Sequence, residues 1–136
     1  MKPADHAVSV ELEVPFHDVD AVKIVWHGHY LKYMEIARTA LLRSRGLEVQ
    51  SVIDMGFGML VMESKIRHVF PLHYADRFRV TAWCVDWDHR VHIAYEIHNL
   101  THDRRAARAS TKLVTVDRNG QLLYETPSEI VALLAG

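Results

Sequence analysis

One stretch of helical periodicity in a chain otherwise patterned for strands narrows most what this sequence can fold into. From Tyr30 onward, Tyr30, Tyr33, Met34, Ala37, Ala40 and Leu41 fall on one stripe, while Lys32, Glu35, Thr39 and Arg43 fall off it. That spacing predicts an amphipathic helix with one face to bury. Arg43 and Arg45 stand in the last turn, where cations complement the helix dipole, and Gly46 supplies a left-handed cap before Leu47. A helix of about four turns that is apolar along one face has to lie lengthwise on a sheet.

The sheet is legible on both sides of it. Val8, Val10, Leu12 and Val14 alternate with Ser9, Glu11 and Glu13, the period of a half-buried strand, and Pro15 borders it. After the helix, strands are predicted at roughly 57–69, 77–87, 90–99 and 106–117, each rich in β-branched or aromatic residues. Breaks fall at Pro71–Asp76, Asp86–His89 and Asn99–Arg105, short enough to imply antiparallel neighbours. Asp117-Arg118-Asn119-Gly120 is a turn signal, and Pro127 opens a short helix reaching Leu134. The outline is α+β, one domain over residues 1–136: a long helix wrapped by an antiparallel sheet of five strands or slightly more. Such a sheet leaves edges to be paired, so at least a dimer is expected.

Composition excludes several classes of function. With 16 basic and 17 acidic residues among 136, the net charge of −1 gives no field to draw nucleic acid or anionic lipid. The short basic clusters Arg43–Arg45 and Arg104–Arg105 read as solvated surface. A lone cysteine, Cys84, sits in an apolar run and reads as core in a reducing, cytoplasmic setting. The start Met1-Lys2-Pro3-Ala4-Asp5-His6 lacks a signal core, and no apolar run is long enough to span a bilayer. No Gly-x-Ser-x-Gly elbow, P-loop or dinucleotide fingerprint is present, and no cofactor is expected.

The chemistry concentrates where periodicity fails, in Phe16-His17-Asp18-Val19-Asp20-Ala21-Val22-Lys23-Ile24-Val25-Trp26-His27-Gly28-His29-Tyr30. Two carboxylates precede an apolar stretch, and two histidines stand at the start of the helix, a common setting for catalysis. Taken alone, Asp20 reads as a turn aspartate and Asp18 as a structural one that satisfies loop amides. His27-x-His29 beside Asp18-x-Asp20 also permits a metal site, but ten histidines make such a pair unremarkable.

Asp-x-Asp-Ala, Ile-Val-Trp-His, Tyr-Leu-x-Tyr-Met-Glu-x-Ala-Arg and a closing Arg-Gly-Leu resemble the 4-hydroxybenzoyl-CoA thioesterase family of hotdog-fold enzymes. The run Phe70-Pro71-Leu72-His73-Tyr74-Ala75-Asp76-Arg77-Phe78-Arg79-Val80 is similar to that family's pattern before its third strand. The resemblance implies a hotdog domain acting on acyl-CoA or an acyl carrier protein thioester, with protomers pairing edge to edge as a homodimer or homotetramer. It implies a catalytic Asp20 and, at His27, a helix-start amide aimed at the thioester carbonyl. A carboxylate and a helix N-terminus are what thioester hydrolysis needs: a nucleophile or base, and a donor for the developing oxyanion. Trp26, Phe57, Met59 and Met62 are candidates to line the acyl pocket, and Arg90 with His89 to meet the CoA phosphates. Glu35 with Arg38 reads as a helix-surface or dimer-contact pair rather than an acid catalyst. Val22 and Lys23 replace the small residues usual in the family and are expected to narrow or re-charge the pocket. That departure keeps a second reading open, a non-catalytic hotdog that binds acyl chains or CoA.

Overall fold

The computed structural model describes residues 2–136. Five strands, β1 (Val8–Glu13), β2 (Gly58–His68), β3 (Arg77–Asp86), β4 (Val91–Asn99) and β5 (Arg104–Val116), form one antiparallel sheet in the order β1-β3-β4-β5-β2. The long helix α1 (Tyr30–Ser44) lies in its concave face, and two shorter helices, α2 (Val49–Asp54) and α3 (Ser128–Ala135), close its flanks. This is the expected hotdog.

The helical stripe does what its spacing predicts. Tyr30, Tyr33, Met34, Ala37 and Leu41 are all buried, against Phe78, Val80, Ala82, Ile93, Tyr95 and Ile97 from the inward face of the sheet. Burial of side chains this size stabilises by roughly 2 kcal/mol each. The helix ends in a Schellman motif: Leu47 N–H donates to Leu42 O at 2.8 Å and Gly46 N–H to Arg43 O at 3.1 Å, with Gly46 at φ 76°. Cys84 is buried as core, and burial pushes its thiol up to about 11.

Two elements differ from expectation. The helix α2 occupies a segment to which the pattern assigns nothing, because Val49, Val52 and Ile53 are β-branched and too few turns exist for a period to emerge. The Glu48 side chain opens it by accepting the Val49 N–H at 3.1 Å. β5 begins at Arg104 rather than 106, since Asp103 takes the left-handed conformation (φ 52°) and tightens the turn after β4.

Strand β2 is an edge. Most of its residues are exposed, including Leu60, Val61 and Met62, and a bulge at Met62 shifts its register on β5. The connection from β2 to β3 is pinned by buried Asp76, which accepts His73 N–H at 2.9 Å and the Asn99 amide at 2.7 Å. Its backbone O accepts Val14 N–H at 2.9 Å, which ties this connection to the end of β1.

Candidate active site

The loop between β1 and α1 is folded by its own polar groups. Asp20 starts a tight turn: its Oδ1 accepts Val22 N–H at 2.9 Å, its O accepts Lys23 N–H at 2.9 Å, and its N–H returns to Ile24 O at 2.9 Å. Lys23 closes the turn at φ 64°. Short bridges then fasten the loop, with Val25 N–H on Leu72 O at 2.8 Å and Trp26 N–H on Asp18 O at 3.1 Å. Asp20 is therefore a turn residue as local chemistry predicts, but only one of its oxygens is used. Oδ2 has no partner among the described residues.

Asp18 anchors this loop to the helix. Its buried carboxylate takes Lys32 Nζ at 2.7 and 2.8 Å and the Tyr33 hydroxyl at 2.5 Å, with the His29 ring at 3.8 Å. The structural role holds, but through side chains of α1 and not the loop amides expected. Burial alone raises this carboxyl's pKa; the Lys32 and Tyr33 hydrogen bonds and the Lys32 charge outweigh it and hold the group below the ordinary carboxylate range. The same contact, added to burial, keeps the Tyr33 phenol protonated well above its usual range.

Between this loop and the end of β2 opens a cleft of about 400 Å³, lined by Asp20, Ile24, Val25, Trp26, His27, Tyr30, His68, Val69, Phe70 and Pro71. A short 3₁₀ turn, His27–His29, leads into α1, and the N–H groups of His27 and Gly28 find no acceptor among the described residues. They are the unsatisfied donors of a helix start, and the positive end of the helix dipole adds to them. The Trp26 indole folds over this turn, its ring 5.0 Å from that of His27 and 5.4 Å from that of His29. The absence of a side chain at Gly28 lets the indole lie there: a Cβ at position 28 would stand 2.2 Å from the ring, which would then have to turn aside. Opposite, the His68 ring packs edge-on against Tyr30 at 4.6 Å. Loss of water there, together with the facing His27, lowers the His68 pKa, so at neutral pH this ring is an uncharged hydrogen-bonding group.

The structure thus gathers Asp20, Trp26 and His27 into one cleft and leaves the other sequence-predicted residues elsewhere in the protomer. Phe57 and Met59 line an apolar groove of about 350 Å³ between α1, α2 and the start of β2, together with Arg38, Leu42, Val52 and Leu113. Arg90 borders a polar groove with Met62, Glu63, His89, Lys112 and Tyr124, and donates to His89 O at 3.1 Å. Val22 and Lys23 do not line the cleft; Val22 points to solvent, 70 % exposed, so neither narrows the space beside Asp20 as their bulk suggests. Glu35 and Arg38 lie within 3.9 Å of each other, and the Arg38 guanidinium also reaches Tyr95 Oη at 3.4 Å. His27 and His29 do not assemble a set of three metal-ligand atoms; among the described residues the one such set is His73, Asp76 and His102. Sequence reasoning missed His68 and Phe70 as cleft walls. Both flank the exit of β2, and their nearness to Asp20 depends on the sheet order, which places β2 at one edge and the Asp20 loop over the connection that follows it.

The architecture is that of the hotdog thioester hydrolases, and comparison with known proteins agrees. The chain belongs to the thioesterase-like superfamily, whose family profile matches residues 14–134. It is 29 % identical over 114 residues to YneP of Bacillus subtilis, described as a candidate acyl-CoA thioesterase, covering 83 % of this chain and 82 % of that one. It is 31 % identical over 121 residues to a candidate esterase of Aquifex aeolicus, covering 89 % and 92 % of the two chains. Its fold superposes with a TM-score of 0.84 on a 4-hydroxybenzoyl-CoA thioesterase variant complexed with 4-hydroxybenzoyl-CoA, at 18 % identity, covering 95 % of this chain and 99 % of that one.

Proposed function

We propose that the protein hydrolyses an acyl-CoA thioester in the Asp20 cleft. The observation that carries this reading is the meeting, in one cleft, of a carboxylate with a free oxygen and the unpaired N–H of His27 at a helix start. The acyl carbonyl oxygen accepts from the His27 N–H, which stabilises the negative charge that develops there as the carbonyl carbon is attacked. Asp20 supplies the attack, with Oδ2 adding to the carbon directly, to give a mixed anhydride that water then cleaves to the free acid and the restored carboxylate, or drawing a proton from the water that adds. Its Oδ1, fixed by the Val22 N–H, keeps the carboxylate from swinging away. The sulfur of CoA leaves, and Trp26, Tyr30, His68 and Phe70 enclose the acyl group. The name given to YneP supports the CoA ester as substrate class.

The complete site takes two protomers in this reading. Antiparallel pairing of two β2 strands along their length sets the His68 end of one beside the Gly58 end of the other. The Asp20 cleft of one protomer then adjoins the partner's Phe57–Met59 groove, and an acyl chain passes from one to the other. Arg90 has no such route to the cleft within a protomer, and its role at the CoA phosphates rests on the second copy alone.

A thiol-release assay over short, long and aromatic acyl-CoA esters, with acyl carrier protein thioesters beside them, tests the reading. Release of free thiol from at least one CoA ester, far above the uncatalysed rate, is expected. Binding of CoA esters with no release from any would replace the hydrolase by a non-catalytic acyl-CoA binder, and release from carrier-protein esters alone would reassign the thiol carrier.

A further inference from the structure

On the far side of Phe70 from the cleft, two connections of the sheet bring His73, Asp76 and His102 together. Their ligand atoms all lie within 4.8 Å of one another. His73 Nδ1 stands 3.1 Å from Asp76 Oδ2, and His102 Nε2 stands 3.4 Å from Asp76 Oδ1. Neighbouring ligand atoms about a tetrahedral zinc, with bonds of about 2.0–2.1 Å, are separated by about 3.3 Å. Each imidazole nitrogen stands near that spacing from one carboxylate oxygen, His73 from Oδ2 and His102 from Oδ1.

The cluster is held from behind by a buried residue with no exposed surface, Asn99. Its amide nitrogen donates to Asp76 Oδ2 at 2.7 Å, and its amide oxygen accepts the His102 N–H at 3.0 Å. One side chain therefore positions both the carboxylate and the backbone of the second histidine. Asp76 Oδ2 also takes the His73 N–H, whereas Oδ1 stands against His102 Nε2. Phe70 packs against both imidazoles, with centroids 5.9 and 5.6 Å away, and Arg104 covers the Phe70 ring at 4.3 Å. Asp76 is 4 % exposed, whereas the His73 and His102 side chains are 40 % and 44 % exposed, so an ion has access from solvent and a water can complete its shell.

A carboxylate fixed by second-layer hydrogen bonds, with two imidazoles on its open side, is the ligand set of an open zinc-type site. A turn-capping aspartate needs neither histidine. We infer that His73, Asp76 and His102 bind a divalent transition ion of the zinc type, which ties the β2–β3 connection to the β4–β5 turn behind the Phe70 wall. The site is separate from Asp20, and the inference stands whether or not the hydrolase reading does.

Titration of the full chain with Zn²⁺ by calorimetry, and with Co²⁺ followed by visible absorption, tests it. One ion per chain is expected, with the intense visible bands of four-coordinate cobalt and a thermal midpoint that rises with Zn²⁺. His73→Ala and His102→Ala should each weaken binding by about tenfold or more, while a His27→Ala/His29→Ala double variant binds as the parent does. Should either single variant fail to fold, two of the ten histidine ring signals of the parent shifting on Zn²⁺ addition carry the same answer. No binding, binding indifferent to His73 and His102, or binding lost with His27 and His29 would overturn the site.

Discussion

Lys23 sits at φ 64° in the turn that aims Asp20, a conformation that costs a side-chain-bearing residue about 1–2 kcal/mol. Glycine relieves that cost and gives back part of it as unfolded-chain entropy. Lys23→Gly is therefore expected to stabilise the chain by about 0.5–1 kcal/mol in denaturant unfolding, with turnover little changed because Lys23 does not line the cleft. A destabilised variant would mean that the lysine side chain holds the turn. The departure at Val22 and Lys23 was visible in the sequence, yet its consequence was not. Whether a bulky residue fills a pocket or points to solvent depends on the turn's φ angles, which residue type alone does not set. Asp20 shows the opposite case: its turn chemistry follows from local sequence and is seen in the Val22 N–H on Oδ1, while its proposed catalytic role rests on the family resemblance and on the oxygen the turn leaves free.

At the scale of elements, the fold is a loop fastened to a helix fastened to a sheet, and Asp18 is the first of those fastenings. Its carboxyl pKa is lowered in the folded state, so its contribution is complete above the unfolded carboxylate value of about 4 and fades as pH falls through the lowered folded value. Asp18→Asn should cost about 2–3 kcal/mol at neutral pH. The gap between parent and variant should narrow below about pH 4; a gap that stays constant in acid unfolding series would contradict the assignment. Helix α1 and the five strands were legible because their periods run over many residues, and tertiary burial reinforces what the period states. Helix α2 was not, since six residues, three of them β-branched, are too short a run to establish a period and form a helix only where Val52 can pack on the core. The cleft walls His68 and Phe70 were equally silent, because an edge strand's neighbours are a matter of strand order.

For the whole molecule, the exposed β2 edge with Leu60, Val61 and Met62 is the surface a second copy would cover. A dimer is expected by sedimentation at micromolar concentration, and Val61→Asp should shift it toward monomer with a parallel loss of turnover. A fully active monomer would separate the Phe57–Met59 groove from catalysis. Among the described residues, no helix is long and apolar enough to cross a membrane. The central claim remains the pairing of Asp20 with the His27 amide, and turnover of Asp20→Asn on the best acyl-CoA ester tests it most directly. The amide retains the turn and the hydrogen bond from Val22 but can neither attack nor take a proton. The account predicts a fall in kcat of about 100-fold or more, with an unchanged thermal midpoint and retained binding of the CoA ester. Near-parental kcat in a folded Asp20→Asn chain would contradict it.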